Sequence, residues 1–296
     1  TFENFQDNRL VIAKRLAALN GDTSGNIDEF GFPIGYGKNN QSVLIPSFLS
    51  AYTGKNPENI SLNAITDNPL PNWSLNYSGL INIDFIRERF KRFSLGHSYR
   101  SSYTLNNFKS NLEYDPLNPK LTDDSGNYLN EMLYTNINLV EQFNPLLKVD
   151  MELNNSLQIV LSLKKDRALS LSLDNNLLTE SSGTDYSIGF GYRIKDLKFT
   201  NRVGGKRRVS KGDLNIKTDL NFRDNITIIR NLNIEDNKVT AGQTMWSLKT
   251  SADYNLSKNF NAIFFYDHLF SKFAISTAFP MTTIRAGMTL RYNFGE

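Results

Sequence analysis

The chain has no cysteine and only two histidines among its 296 residues. Disulfides and thiolate metal sites therefore play no part. Long hydrophobic runs are also missing. No window approaches 18 consecutive apolar residues and the mean hydropathy is −0.40, which excludes a helical membrane protein. It does not exclude a β-barrel, whose lumen side is polar. An excess of charge of one sign is absent too. The balance of 33 basic to 30 acidic residues gives +3, too weak to argue for a nucleic-acid partner. No basic stretch followed by an apolar one opens the chain at Thr1, so no secretory signal is visible. The chain is expected to start after one, or to be a fragment of something longer.

Asparagine is abundant, and Phe and Tyr number 20 and 13. The hydrophobic fraction of 40% suffices for one large or two ordinary domains. The informative feature is periodicity. From Ile284 to Phe294, the residues Ile284, Ala286, Met288, Leu290, Tyr292 and Phe294 alternate with Arg285, Gly287, Thr289, Arg291 and Asn293. A strand has period two, so one face is apolar and the other polar. The same alternation recurs back to about Trp73. It predicts roughly a dozen strands joined mostly by tight turns, hence sequential antiparallel neighbours. Leu157–Leu163 and Leu169–Leu173 read as a hairpin turning at Lys164-Lys165-Asp166-Arg167. Leu214–Phe222 reads as a second, turning at Arg223-Asp224-Asn225. Many segments approach the nine to eleven residues a tilted strand needs to cross a bilayer. Tyr and Phe cluster near strand ends, as an aromatic girdle requires. The competing architecture, a soluble sandwich or jelly roll, usually has shorter strands and fewer long Asn- and Ser-rich stripes.

Ahead of the strands, residues 1–19 read as an amphipathic helix, and a second helix is expected at about 43–53, with Pro46 in its first turn and Gly54 past its end. The expected organisation is a helix-and-loop segment over residues 1–70 and barrel strands over 71–296. The fold class is thus all-β: an antiparallel transmembrane β-barrel with a short helical N-terminal segment. The lumen-facing set is read from the polar stripes as Lys217, Asp219, Asn221, Lys249, Asp253, Arg285, Arg291 and Asn293.

Catalytic and metal motifs are weak. His97 and His268 are in phase with apolar neighbours, and His97-Ser98 point to opposite strand faces, so they form no dyad with each other. A serine on another strand approaching His97 stays open. Asp22-Thr23-Ser24-Gly25-Asn26 and Asp123-Asp124-Ser125-Gly126-Asn127 distantly resemble calcium loops but lack the full spacing and the terminal glutamate; Asx turns are the expected reading, with calcium in one loop as the alternative. Gly204-Gly205-Lys206-Arg207-Arg208 lacks P-loop spacing and reads as a surface turn, with lipopolysaccharide or anionic cargo as the sharper alternative. Gly189-Phe190-Gly191 reads as close packing or a bend. Arg87, Arg89, Lys91 and Arg92 read as a solvated turn, or as a cluster facing the lumen or membrane phosphates. No metal, cofactor or enzymatic activity is expected.

Two stretches carry more than periodicity. Gly31-Phe32-Pro33-Ile34-Gly35-Tyr36-Gly37 runs through to Ala51-Tyr52-Thr53-Gly54, and Leu70-Pro71-Asn72-Trp73-Ser74-Leu75-Asn76-Tyr77-Ser78-Gly79-Leu80 follows. With Ser276-Thr277-Ala278-Phe279-Pro280, they resemble the C-terminal region of the SprA/Sov family, the giant outer-membrane translocon of the type IX secretion system in Bacteroidota. The pattern Arg285, Gly287, Leu290, Tyr292, Phe294 also resembles the C-terminal assembly signal of bacterial outer-membrane barrels. The family resemblance implies the C-terminal part of a very large barrel in the outer membrane. It implies a channel passing folded cargo proteins with type IX sorting domains. The implied partners are a fatty-acid-transporter-like shuttle barrel, a periplasmic plug protein and outer-membrane lipid. The helices would then sit in or beside the lumen or at the periplasmic rim. A complete small porin or transporter with residues 1–54 as plug is the alternative, and a barrel hydrolase the third.

Overall fold

A computed structural model describes residues 1–22, 25–65, 70–203, 206–234, 236–257, 259–275 and 279–294. Two helices come first, α1 (Phe2–Leu19) and α2 (Gln41–Thr53). Nine strands follow: β1 (Trp73–Tyr77), β2 (Phe90–Ser110), β3 (Met132–Leu153), β4 (Leu157–Ser172), β5 (Leu177–Val203), β6 (Lys206–Asn231), β7 (Asp236–Ser257), β8 (Phe260–Phe273) and β9 (Met281–Tyr292). A 3-10 turn (Gly79–Asn82) and a one-turn helix α3 (Asp84–Arg87) link β1 to β2. The strands form one sheet in chain order, every neighbouring pair antiparallel, and the sheet is open: β1 and β9 are its two edges.

Among the described residues nine strands replace the expected dozen, because four segments read as turns or breaks are continuous. Lys164-Lys165-Asp166-Arg167 lies in the middle of β4; all four residues pair with β5, and Lys165, Asp166 and Arg167 pair with β3 as well, rather than reversing the chain. Arg223-Asp224-Asn225 lies inside β6, and Val140–Leu146 continues β3 across a register irregularity between Phe143 and Leu147. Tyr186–Ile194 and Phe199–Val203 are likewise one strand, β5. At 27 and 26 residues, β5 and β6 far exceed the nine to eleven a tilted bilayer crossing needs.

The helices form where expected, with α2 starting at Gln41, so Pro46 falls in its second turn. Asn40 caps it, its side chain accepting from the Ser42 amide at 2.8 Å, and Gly54 ends it at φ 70°. Helix α2 is apolar nearly all round because it is buried between α1 and the sheet. Phe5, Ile12, Leu44, Phe48 and Leu49 share one core with Ile137, Leu139, Leu169, Leu171 and Leu178 of β3, β4 and β5. Two arginines latch the helices to the strands. Arg167 pairs with Glu141 and donates to the Tyr52 carbonyl at 3.2 Å, while Arg230 pairs with Glu180 at 3.0 Å and lies over the Phe2 ring.

Burial in this core pushes the Tyr52 hydroxyl pKa above its ordinary value. A raised folded-state pKa means the stabilisation is complete below the unfolded tyrosine pKa and is lost as pH rises through the folded one. The helical pair should therefore loosen at strongly alkaline pH, and Tyr52→Phe should retain it there; absorbance titration of tyrosinate alongside proteolysis of residues 1–54 checks this.

Loop 25–40 is pinned at Gly35. Its φ is +87°, and a Cβ there would lie 2.3 Å from the Tyr128 ring, while the Tyr128 amide donates to the Gly35 carbonyl at 2.9 Å. Gly35→Ala should cost about 1–3 kcal/mol through left-handed backbone strain alone and open the 111–131 loop to protease.

Candidate functional site

Strand alternation sorts the side chains into two faces, and register shows that the sorting holds across the sheet. One face carries Tyr186, Ile188, Phe190, Tyr192 and Ile194 of β5, paired with Phe222, Leu220, Thr218, Ile216 and Leu214 of β6. These continue to Trp246, Leu248, Thr250, Ala252 and Tyr254 of β7, then to Phe270, His268, Tyr266, Phe264 and Ala262 of β8. On β9 the row ends with Ile284, Ala286, Met288, Leu290 and Tyr292. From Tyr186 to Ile194, Leu214 to Phe222, Trp246 to Tyr254, Ala262 to Phe270 and Ile284 to Tyr292, each strand spans this band over nine residues, five of which face it. Nine residues cover about 30 Å of strand, or about 21–24 Å of height at a tilt of about 35–45°.

The band is open to its surroundings. Phe190 is 46% exposed, Leu220 42%, Phe264 51% and Met288 53%, so large apolar side chains lie side by side on an open face. Its polar groups are answered inside it: the Thr218 and Thr250 hydroxyls meet at 3.3 Å, which a face removed from water requires. Aromatic rings line its upper edge. Trp73, Tyr99 and Phe143 pack in series as tilted rings at 4.6 and 4.8 Å; Tyr186 meets Phe222 at 6.2 Å and Trp246 meets Phe270 at 6.1 Å. Directly beyond this row the same face turns polar, with Glu141, Lys165, Arg167, Thr184, Asp224 and Thr244. The helical core sits past that charged belt, on the same face.

The opposite face is polar, and the sequence-predicted set lies on it together. Lys217 stands opposite Ser251, Asp219 opposite Lys249, Asp253 opposite Asn215, and Arg291 opposite Asn261. Asn221 approaches Ser247 at 3.5 Å, and Arg285 pairs with Asp267 at 3.0 Å. Asn293 follows the end of β9, its amide donating to the Asn259 carbonyl at 2.8 Å. Sequence reasoning missed a second element of this face, the cluster in which Arg223 reaches Asp185 at 2.7 Å and Asp166 at 3.6 Å. Its signal, charges at Asp166 and Arg223, was spent on the supposed turns. Glycines let neighbouring side chains lie flat here: a Cβ on Gly189 would meet the Asp219 carboxylate at 2.9 Å, which is the close packing that Gly189-Phe190-Gly191 suggested.

The other motifs resolve simply. His97 Nδ1 contacts the Leu146 carbonyl at 2.6 Å and its ring lies beside Trp73 and Phe143. The His268 ring lies 4.6 Å from Trp246. Both are on the apolar-banded face, packed against rings. Asp123 Oδ1 accepts from the Ser125 and Asn127 amides, both at 2.9 Å, an Asx turn. Thr23, Ser24, Gly204, Gly205 and Ser276-Thr277-Ala278 lie outside the described residues. Lys206 begins β6 and pairs with Val203 of β5. Arg87 pairs with Asp84, Arg92 with Asp150, and Arg89 lies over the Phe85 ring at 4.0 Å.

No helix among the described residues is long and apolar enough to cross a membrane. No protein-family model matches the chain, and no curated protein matches it in sequence.

Proposed function

We propose that these nine strands are consecutive wall strands of a bacterial outer-membrane β-barrel that conducts protein, as the resemblance to the C-terminal region of the type IX translocon implies. The observation that carries the membrane part is the open apolar band spanning nine residues of each strand, rimmed by aromatic rings and backed by a polar face. A lipid-facing wall with a hydrated interior needs that arrangement. The two free edges, β1 and β9, favour a larger barrel over a complete small porin, because an unpaired edge is not tolerated in lipid. Further strands would close it. Protein conduction, cargo with type IX sorting domains, the shuttle barrel and the plug rest on the family resemblance.

On this reading the polar face lines the lumen and the helical pair lies outside it. The short connection at 154–156 lies at one end of the sheet, and the long loop 111–131 lies at the other. Outer-membrane barrels keep short turns in the periplasm, so this reading puts the helices, packed at the long-loop end, towards the cell-exterior rim.

Arg285→Glu should shift a conducting barrel towards cation selectivity while leaving insertion intact. Its side chain is 68% exposed, and an exposed pair contributes under about 1 kcal/mol. Reversal potentials in planar bilayers check this; equal loss of insertion would place Arg285 elsewhere. The wider reading is tested by the denatured mass of the native species that reacts with an antibody against residues 1–54. A species several times heavier than 33.7 kDa supports the giant barrel. A band near that mass in unproteolysed membranes contradicts it.

A further inference from the structure

We infer that the polar face carries an anion-binding cleft at its short-turn end, built to hold a phosphate group. The cleft has a volume of about 360 Å³ and draws its lining from five strands, β2 to β6. Lys91 of β2, Arg193 and Lys195 of β5 and Lys217 of β6 all border it, with Glu152 of β3 as the acid in the lining.

The argument rests on how this face treats its cations elsewhere. Arg223 has Asp185 and Asp166, Arg285 has Asp267, Arg92 has Asp150, and Lys249 stands opposite Asp219. Lys217, like Arg291 on the edge strand, departs from that pattern: its two cross-strand neighbours are Gly191 and Ser251, both uncharged. The nearest acid on β7, Asp253, stands opposite Asn215 instead. Around it the acids are shared thinly. Asp213 pairs with Arg193 at 2.5 Å and also senses Lys195. Lys91 is 4.0 Å from Glu152 and donates to the Ser156 hydroxyl at 3.3 Å. The lining thus sets four cations against one acid, Glu152, with Asp213 alongside as the partner of Arg193, an excess of positive charge that a phosphate would balance.

Gly191 supplies the space. It occupies the cross-strand position between Gln158 and Lys217, and a Cβ there would touch the Gln158 side chain at 3.4 Å. A larger residue would fill the floor of the cleft; glycine leaves it open above the backbone, where Lys217 can swing over an anion. The same chemistry serves a free phosphate or the headgroup of a lipid. This assignment depends on the polar face alone and not on which membrane, if any, surrounds the opposite one.

The test titrates the full chain, folded in detergent, with inorganic pyrophosphate and in parallel with a short-chain phosphatidic acid, following binding by calorimetry. Saturable binding of pyrophosphate is expected, weakened at least tenfold in the double variant Lys195→Glu, Lys217→Glu. Gly191→Asp, which keeps every lysine but sets a carboxylate into the cleft, should abolish it. Lys272→Glu on the other face should leave it unchanged. Equal affinity for both probes identifies the phosphate itself as the ligand; a preference for phosphatidic acid identifies a headgroup site. Absence of saturable binding of either probe, or equal weakening by Lys272→Glu, overturns the proposal. Circular dichroism confirms that each variant is folded, and Lys217→Gln replaces any that is not.

Discussion

Replacing Leu220 with lysine should remove roughly 2–4 kcal/mol of folded, membrane-inserted stability, the cost of a lysine near the bilayer midplane on the lipid side of a barrel. Leu220 is central to the band, with Ile188 and Leu248 as its cross-strand neighbours. Leu161→Lys, opposite Val149 and Ile188, should behave alike. The decisive contrast is the next residue along the strand. Asn221 points to the other face, so Asn221→Lys should change stability by less than about 0.5 kcal/mol. Equilibrium urea unfolding in lipid vesicles gives both values. Equal costs at 220 and 221 would mean that neither face meets lipid.

The second large effect belongs to the helical pair. Phe48 is completely buried, edge-on to Phe5 at 6.4 Å and beside Tyr52 at 5.1 Å. Phe48→Ala should cost about 3–5 kcal/mol, from lost burial and the cavity left behind. The loss is local, because the strands carry their own ladder of antiparallel pairs while the helices depend on one shared apolar core. Hydrogen exchange should therefore rise sharply in α1 and α2 and stay low in β5 to β8. Uniform acceleration across the sheet would mean that the helices hold the strands together.

The two faces were legible from alternation alone, and so was the grouping of Lys217, Asp219, Asn221, Lys249, Asp253, Arg285 and Arg291 on one of them. Period two fixes a side chain's face without any knowledge of its neighbours. Strand length was not legible. Lys164-Lys165-Asp166-Arg167 has the composition of a hairpin turn, yet it marks the level at which β4 leaves the apolar band and enters the charged belt. What keeps it extended is not local: Arg167 finds Glu141 on β3, and Asp166 finds Arg223 on β6. The same holds for Arg223-Asp224-Asn225, where Asp224 accepts from the Thr244 hydroxyl at 2.6 Å. A polar run with partners two strands away looks the same in sequence as one that meets only water.

The docking of the helices was equally hidden. Ile137, Leu139, Leu169, Leu171 and Leu178 continue the alternation of the band, and nothing in their spacing says that α2 rather than lipid covers them. Their burial contrasts with the exposure of Leu161 and Ile188 on the same face. The charged belt between the two groups separates apolar surface covered by protein from apolar surface left open.

The absence of cysteine makes the central claim directly measurable. Single cysteines at Ile188 and Phe264 on one face, and at Asp219 and Thr289 on the other, can be spin-labelled in the reconstituted protein and probed with oxygen and a water-soluble nickel chelate. The account predicts high oxygen and low chelate accessibility at 188 and 264, and the reverse at 219 and 289. Chelate accessibility at 188 and 264 as high as at 219 and 289 would contradict a lipid-facing band.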